Sequence, residues 1–174
     1  MTSIVAAVVL ATTQVNYQPR GPKLEVFLQS GQSFVIETDQ DASPLTVGYI
    51  IKQVKAGFYD AQKFHRVEKW VVQWGDPTSK FLSRTDPRNG HSRPMAPLPF
   101  EPPPVEFDRA IVGMVSQKPG TGGNGQIFVL RKDAHHLGST CTILGKVIVG
   151  MDVVDSIKKG DRITRMIVLS GRGF

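Results

Sequence analysis

Apolar side chains occupy every second position from Lys23: Leu24, Val26 and Leu28 fall in phase, with Glu25, Phe27 and Gln29 between them. Ser30-Gly31-Gln32 then supplies a turn, and Ser33 to Thr38 gives a second run, so the segment predicts a β-hairpin. The pattern next changes period. Val47, Ile50, Ile51 and Val54 recur at the spacing of one helix face, with Ser43 placed to cap, Pro44 at the first helical position and Gly57 able to close the end. Beyond Gly57 come short apolar runs bounded by Gly, Pro or polar clusters, at Val67 to Gln73, Ile111 to Val115, Ile127 to Leu130 and Thr142 to Val149. These read as strands. A second helix is expected from about Met151 to Lys159, with Asp152 and Asp155 early, Lys158-Lys159 late and Gly160 after them, followed by a closing strand from Ile163 to Leu169. Many strands with only two helices predict a mainly β fold, a largely antiparallel sheet closed into a barrel whose ends the helices plug, since closure removes exposed edges.

One stretch breaks this rhythm. Eight of the twelve prolines lie between Pro77 and Pro104, a density that leaves little regular hydrogen bonding and predicts a long surface loop. It reads as a rigid connector, a rim over a site or a polyproline ligand for another domain. Residues 1–22 read as an N-terminal arm or a signal-like segment: Ile4 to Ala11 is apolar, but no Lys or Arg precedes it. The compartment stays open between export and the cytoplasm. Residues 23–174 form one folded domain, in keeping with 174 residues, 40% hydrophobic and 21% charged, a composition that excludes wholesale disorder. No apolar run reaches the roughly 18 residues of a membrane span. The net charge of +6 is spread over 21 basic residues facing 15 acidic ones, which implies no nucleic-acid surface. The single cysteine, Cys141, cannot form an intrachain disulfide.

The densest unusual stretch is Phe64-His65-Arg66-Val67 followed by Trp70-Val71-Val72-Gln73-Trp74-Gly75-Asp76-Pro77. An arginine in such apolar and aromatic company is either paired structurally or aimed at a ligand. Gln126 and Phe128, two residues apart in a strand, share one face. Taken in order, the segments FHRV, QWGDPT, GMVS, GQIFVL, HLGSTCTILGKV and GMDVVDSIKKG resemble those of the cyclophilins, the peptidyl-prolyl cis-trans isomerases, over about Lys23 to Leu169. The resemblance implies a closed eight-stranded antiparallel β-barrel capped by two α-helices, with one face binding an Xaa-Pro peptide. It implies a monomer acting on proline-containing peptides or unfolded proteins without cofactor or metal.

Position by position, the resemblance makes Arg66 the catalytic arginine and Gln73 and Gln126 the two substrate-facing glutamines. Phe128 becomes the floor of a proline pocket, Leu137 a wall, and Met114 the methionine before a strand whose Val115, Ser116 and Gln117 lie along the bound peptide. The chain departs from the family where Glu68-Lys69-Trp70-Val71 replaces the usual Pro-Gly-Phe-Met one residue short, so Trp70 stands for the pocket Phe and Val71 for the Met. Trp74 replaces a glycine, His136 stands where the family has Trp or His, and Cys141 replaces a rim His or Tyr. These departures sustain a second reading, a catalytically weak proline-peptide binding module, and the proline-rich loop a third, an assembly protein.

Other signals carry less. His135-His136 has no third metal ligand at a recognisable spacing, and Gly120 to Gly125 lacks the Gly-Lys-Ser/Thr ending of a phosphate loop, leaving a flexible loop beside the pocket. Cys141 has no base partner in sequence; His65 reads as a satisfied structural histidine, and Asp76 as the organiser of the turn into Pro77.

Overall fold

The computed structural model describes residues 17–92, 97–116, 118 and 120–169. The segment from Ile4 to Ala11 lies outside them. The hairpin forms as β1 (Lys23–Leu28) and β2 (Ser33–Thr38), paired Leu24 to Ile36 and Val26 to Phe34, with those four side chains in the core. Helix α1 (Pro44–Lys55) buries Val47, Ile50 and Val54 as the periodicity requires. Its N-terminus is not closed by Ser43, whose hydroxyl donates instead to Ile143 O at 2.6 Å. The carboxylate of Glu101, far along the proline-rich loop, accepts from Leu45 N and Thr46 N, both at 2.9 Å, and so satisfies the first-turn amides.

The run from Val67 to Gln73 is not one strand. It splits into β3 (Arg66–Val67) and β4 (Val71–Trp74) around a tight turn closed by Glu68 N donating to Val71 O. Strands β5 (Ile111–Ser116), β6 (Gly123–Leu130), β7 (Ile143–Val149) and β8 (Ile163–Leu169) follow, all pairs antiparallel, in the order β3-β4-β6-β5-β7-β2-β1-β8. The expected closure does not occur: β3 and β8 share no ladder, and the sheet is an open half-barrel. Among the described residues the two edges meet beside them, at the Lys63–Arg162 bridge and through Phe64 N to Asp161 O, Gly160 N to Phe64 O and Ile163 N to Gln62 O. With β3 only two residues long, there is too little edge for a ladder to β8.

Helix α2 (Met151–Ser156) ends before Lys158-Lys159, shorter than the charge pattern suggests. Ile157 turns extended and buries its side chain, while the Arg131 guanidinium takes Val154 O and Ile157 O, the carbonyls the shortened helix leaves over. The glycine run also differs from expectation. Gly123 to Gly125 are buried residues of β6 rather than flexible loop, because Met114 approaches so closely that a Cβ at Gly123 would lie 2.6 Å from its side chain.

Side-chain alternation assigns two faces to the central strands. Val72, Trp74, Val112, Met114, Ile127 and Val129 enter the main core with α1, β1 and β2, whereas Val71, Ile111, Phe128 and Leu130 join a second cluster with Phe107, Ala134 and Cys141. Trp74 fits with no strain: its ring packs edge-on to Phe64 and Phe34 inside the core, and its backbone is ordinary extended strand. The long loop is pinned by Leu98 N to Gly123 O and Gly122 N to Leu98 O, and Pro77 begins a short 3-10 turn (Pro77–Lys80) that Asp76 caps through Thr78 N. No helix among the described residues is long and apolar enough to cross a membrane. Replacing Glu101 with Ala removes the tertiary cap of α1 and is expected to cost about 1 kcal/mol, lowering the thermal midpoint by roughly 2–4 °C; circular dichroism melting checks this, and an unaltered midpoint would detach the loop from helix stability.

Candidate functional site

The outer face of β4, β5 and β6 carries a cavity of about 200 Å³. Phe128 and Val71, both nearly buried, form its base, with Cys141 and Leu137 on one side and Val115 and Ser116 on another. Register brings these together: Gln73 lies opposite Phe128 across β4 and β6, Gly113 opposite Phe128 across β5 and β6, and Arg66 opposite Gln73 across β3 and β4. Gly113 is required by the ring, since a Cβ there would lie 2.4 Å from Phe128 Cζ. Phe107 stacks on the same ring at a centroid separation of 6.1 Å and holds it from behind. Trp70 lines the cavity without filling it.

Arg66 stands at the mouth, its side chain 44% exposed. Its Nε donates to Glu68 Oε1 at 2.6 Å, its Nη1 lies 3.5 Å from Gln73 Oε1, and its guanidinium sits 5.2 Å from the centroid of the Trp70 ring. Behind it runs a buried amide chain. Gln73 Nε2 donates to Gln126 Oε1 at 2.7 Å and faces His65 Nε2 at 3.3 Å, while Gln126 Nε2 donates to Gly90 O and Ser92 O at 3.0 and 3.1 Å. Gln126 therefore ties the proline-rich loop to the site and does not line the cavity. Ser116 Oγ lies 2.7 Å from both Lys118 O and Thr121 O, closing the turn after β5.

Of the residues expected at the site, Arg66, Gln73, Trp70, Val71, Val115, Ser116, Phe128, Leu137 and Cys141 line one cavity. Met114 does not: its alternation in β5 turns it into the main core, where it is fully buried. His136 is exposed and backs Trp70 from outside, with ring centroids 6.1 Å apart. Gln117 lies outside the described residues. Thr140, Gly113, Phe107 and Glu68 belong to the site or its support and were not singled out in sequence. Gly113 and Thr140 had a signal in their places within the GMVS and HLGSTCTILGKV segments, and Glu68 one in the departure at Glu68-Lys69-Trp70-Val71, whereas Phe107 had none.

His65 is only half satisfied. Its Nδ1 has no hydrogen-bond partner among the described residues, and burial pushes its pKa from 6.5 down to about 4, against the pull of Asp76. Neutral His65 can accept from the Gln73 amide at Nε2. The neighbouring Glu68 carboxyl is held below its usual range, chiefly by the hydrogen bond from Arg66. His135, read as lacking metal partners, meets Asp108 at 2.8 Å, and with Asp133 the three ligand atoms lie within 4.8 Å of one another on the exposed surface. Asp133 Oδ1 also accepts from Arg109 N there. The cavity itself combines apolar walls, a guanidinium and amide groups, a set that can bind an apolar ring and hydrogen-bond a polar atom beside it. Cys141 Sγ has Thr140 Oγ1 at 3.7 Å, a contact that does not activate a thiol.

The folded His65 resists protonation while an unfolded histidine accepts it, so its contribution to stability is complete above about pH 6.5 and is lost as pH falls toward 4. The loss should amount to about 3 kcal/mol across that window. Denaturant titrations of wild type and His65→Gln at several pH values check it, and equal pH slopes for the two proteins would contradict the assignment.

The description Cyclophilin type peptidyl-prolyl cis-trans isomerase/CLD matches residues 24–170. A protein of Brucella abortus named "Probable peptidyl-prolyl cis-trans isomerase" is 34% identical over 131 residues, covering 72% of this chain and 66% of that protein. A "Peptidyl-prolyl cis-trans isomerase-like 2" of Cryptococcus neoformans is 32% identical over 147 residues, covering 78% of this chain but 24% of that protein. The crystal structure of a Cryptosporidium parvum cyclophilin type peptidyl-prolyl cis-trans isomerase, determined in the presence of the dipeptide Ala-Pro, superposes with a TM-score of 0.68 at 21% identity, over 86% of this chain and 99% of that one. The matched span takes in every residue that lines the cavity and both helices of the fold, and on that ground the chain belongs to the cyclophilin-type peptidyl-prolyl cis-trans isomerase family.

Proposed function

We propose that this chain is a peptidyl-prolyl cis-trans isomerase that seats a substrate proline on Phe128 and stabilises the twisted imide with Arg66. The observation that carries the reading is the juxtaposition of a small apolar cavity with one guanidinium at its mouth. Rotation about a peptide bond faces a barrier of about 18–20 kcal/mol because amide resonance is lost on twisting, and at the upper value this allows about one event per minute or fewer. As the bond twists, the prolyl nitrogen becomes pyramidal and gains a lone pair that a guanidinium N–H can donate to. That hydrogen bond exists only in the twisted state, so it lowers the barrier rather than deepening the ground state.

Glu68 already holds Nε, which leaves the Nη groups to reach the substrate. Val71, Leu137 and Phe128 exclude water from the ring, and Gln73, fixed by Gln126 and His65, supports the guanidinium from below. Gln126 acts in this scheme through Gln73. The strand end at Val115 and Ser116 is the support for the peptide backbone.

The engagement of Arg66 by Glu68 favours a second reading, a proline-peptide binder with weakened catalysis. One assay separates the two. Exchange spectroscopy on an Ala-Ala-Pro-Phe peptide should reveal catalysed interconversion by the wild-type chain and a loss of roughly ten- to a hundred-fold in Arg66→Ala; binding without any catalysed exchange would leave only the binder.

A further inference from the structure

Glu68 occupies the turn between β3 and β4, and its carboxylate touches both functional side chains on either side of it. Oε1 accepts from Arg66 Nε at 2.6 Å and Oε2 accepts from Trp70 Nε1 at 2.8 Å. The guanidinium in turn lies 5.2 Å from the Trp70 ring centroid, closing a triangle of three contacts. The turn that carries the carboxylate is itself fixed. Glu68 N donates to Val71 O, Arg131 N donates to Trp70 O, both at 2.8 Å, and Arg131 Nη1 donates to Glu68 O at 3.2 Å.

An arginine at the end of a two-residue strand, with its side chain 44% exposed, would otherwise sample many rotamers. The carboxylate removes that freedom through Nε, leaving both Nη groups clear of it, and orients the indole with its other oxygen. We infer that Glu68 is a positioning residue of the isomerase site, a clamp that orders the Arg66 cation and the Trp70 wall against each other. The inference rests on the catalytic reading of Arg66 above. It goes beyond that reading by assigning a job to a residue that does not itself line the cavity. A carboxylate can accept both hydrogen bonds at once, whereas a glutamine has one acceptor oxygen and an amide nitrogen that opposes the indole N–H.

The clamp is sensitive to acid. The Glu68 carboxylate faces Arg66 from β3 and Trp70 from its own turn, which Lys69 shares, while Arg131, just past β6, reaches the Glu68 backbone carbonyl and His136 lies against the indole. The hydrogen bond from Arg66 first, then that cation's charge and the hydrogen bond from Trp70, keep it ionised to below the usual glutamate range, and protonation from there downward removes an acceptor from one of its two donors. His65, with its pKa at about 4, titrates in the same region from behind Gln73, so activity against pH cannot by itself assign the group.

The test uses the full chain labelled with nitrogen-15, whose 2 tryptophans give separate indole N–H signals. The Trp70 signal should shift on acidification with a midpoint below the ordinary glutamate value, while Trp74, whose Nε1 has no partner among the described residues, reports the intact core. In Glu68→Gln the Trp70 signal should start displaced and the transition should vanish; a transition that survives, or a wild-type signal that never moves while the Trp74 signal shows the fold intact, overturns the clamp. With the Ala-Ala-Pro-Phe peptide, Glu68→Gln and Glu68→Ala should lower kcat by up to about five-fold, the scale of a half-exposed ion pair, and should change nothing further in an Arg66→Ala background. Equal losses in both backgrounds overturn the positioning role alone, whereas an unimpaired Arg66→Ala overturns the catalytic reading and this inference with it.

Discussion

Burial of β6 on both faces is the constraint on which the site depends. All eight of its residues are buried, so strict alternation must send Ile127 and Val129 into the main core and Gln126, Phe128 and Leu130 to the opposite face. A slip of one residue would put Phe128 inside and leave the cavity without a floor. Neighbouring strands lock that register from both sides, with β4 placing Gln73 across from Phe128 and β5 placing Gly113 under its ring. Glycine at this point is what lets an aromatic ring lie flat against the sheet.

Upon this apolar floor the polar groups form two separate systems that meet at Arg66. One is buried and amide-based, running from the loop carbonyls of Gly90 and Ser92 through Gln126 to Gln73 and His65. The other is at the surface and ionic, the carboxylate of Glu68 with the guanidinium and the indole. The buried chain can remain neutral because desolvation keeps His65 unprotonated over most of the pH range. The surface pair keeps the positive charge from being desolvated without a partner, a condition that a lone cation beside an apolar cavity would not meet.

The turn between β3 and β4 brings residue 68 close enough for its side chain to bridge positions 66 and 70, and a carboxylate there satisfies both donors. The proline-rich segment is likewise no passive connector. Its backbone carbonyls hold Gln126, its Glu101 caps α1, and its Leu98 pairs with Gly122 and Gly123 at the start of β6, so the loop is part of the frame that surrounds the site.

Much of this was legible along the chain. The hairpin, the face of α1 and the runs that became β5, β7 and β8 follow from local periodicity, because a strand or helix face must repeat wherever it packs, whereas Arg66, Gln73 and Phe128 stood out through the resemblance of their motifs to a family. What sequence could not decide were contacts between distant residues. Whether the sheet closes depends on how much edge β3 offers to β8; whether α2 reaches Lys159 depends on Ile157 finding the core and Arg131 finding its carbonyls; whether Met114 faces the cavity depends on register in β5. Glu68 was visible only as a departure from a motif, since a carboxylate's two partners are chosen by the turn that aims it. Residue types and their order determined the fold family and the candidate cation; the three-dimensional packing alone decided which neighbours hold that cation in place, because hydrogen bonds and ion pairs are set by distances of a few ångströms that no spacing along a chain encodes.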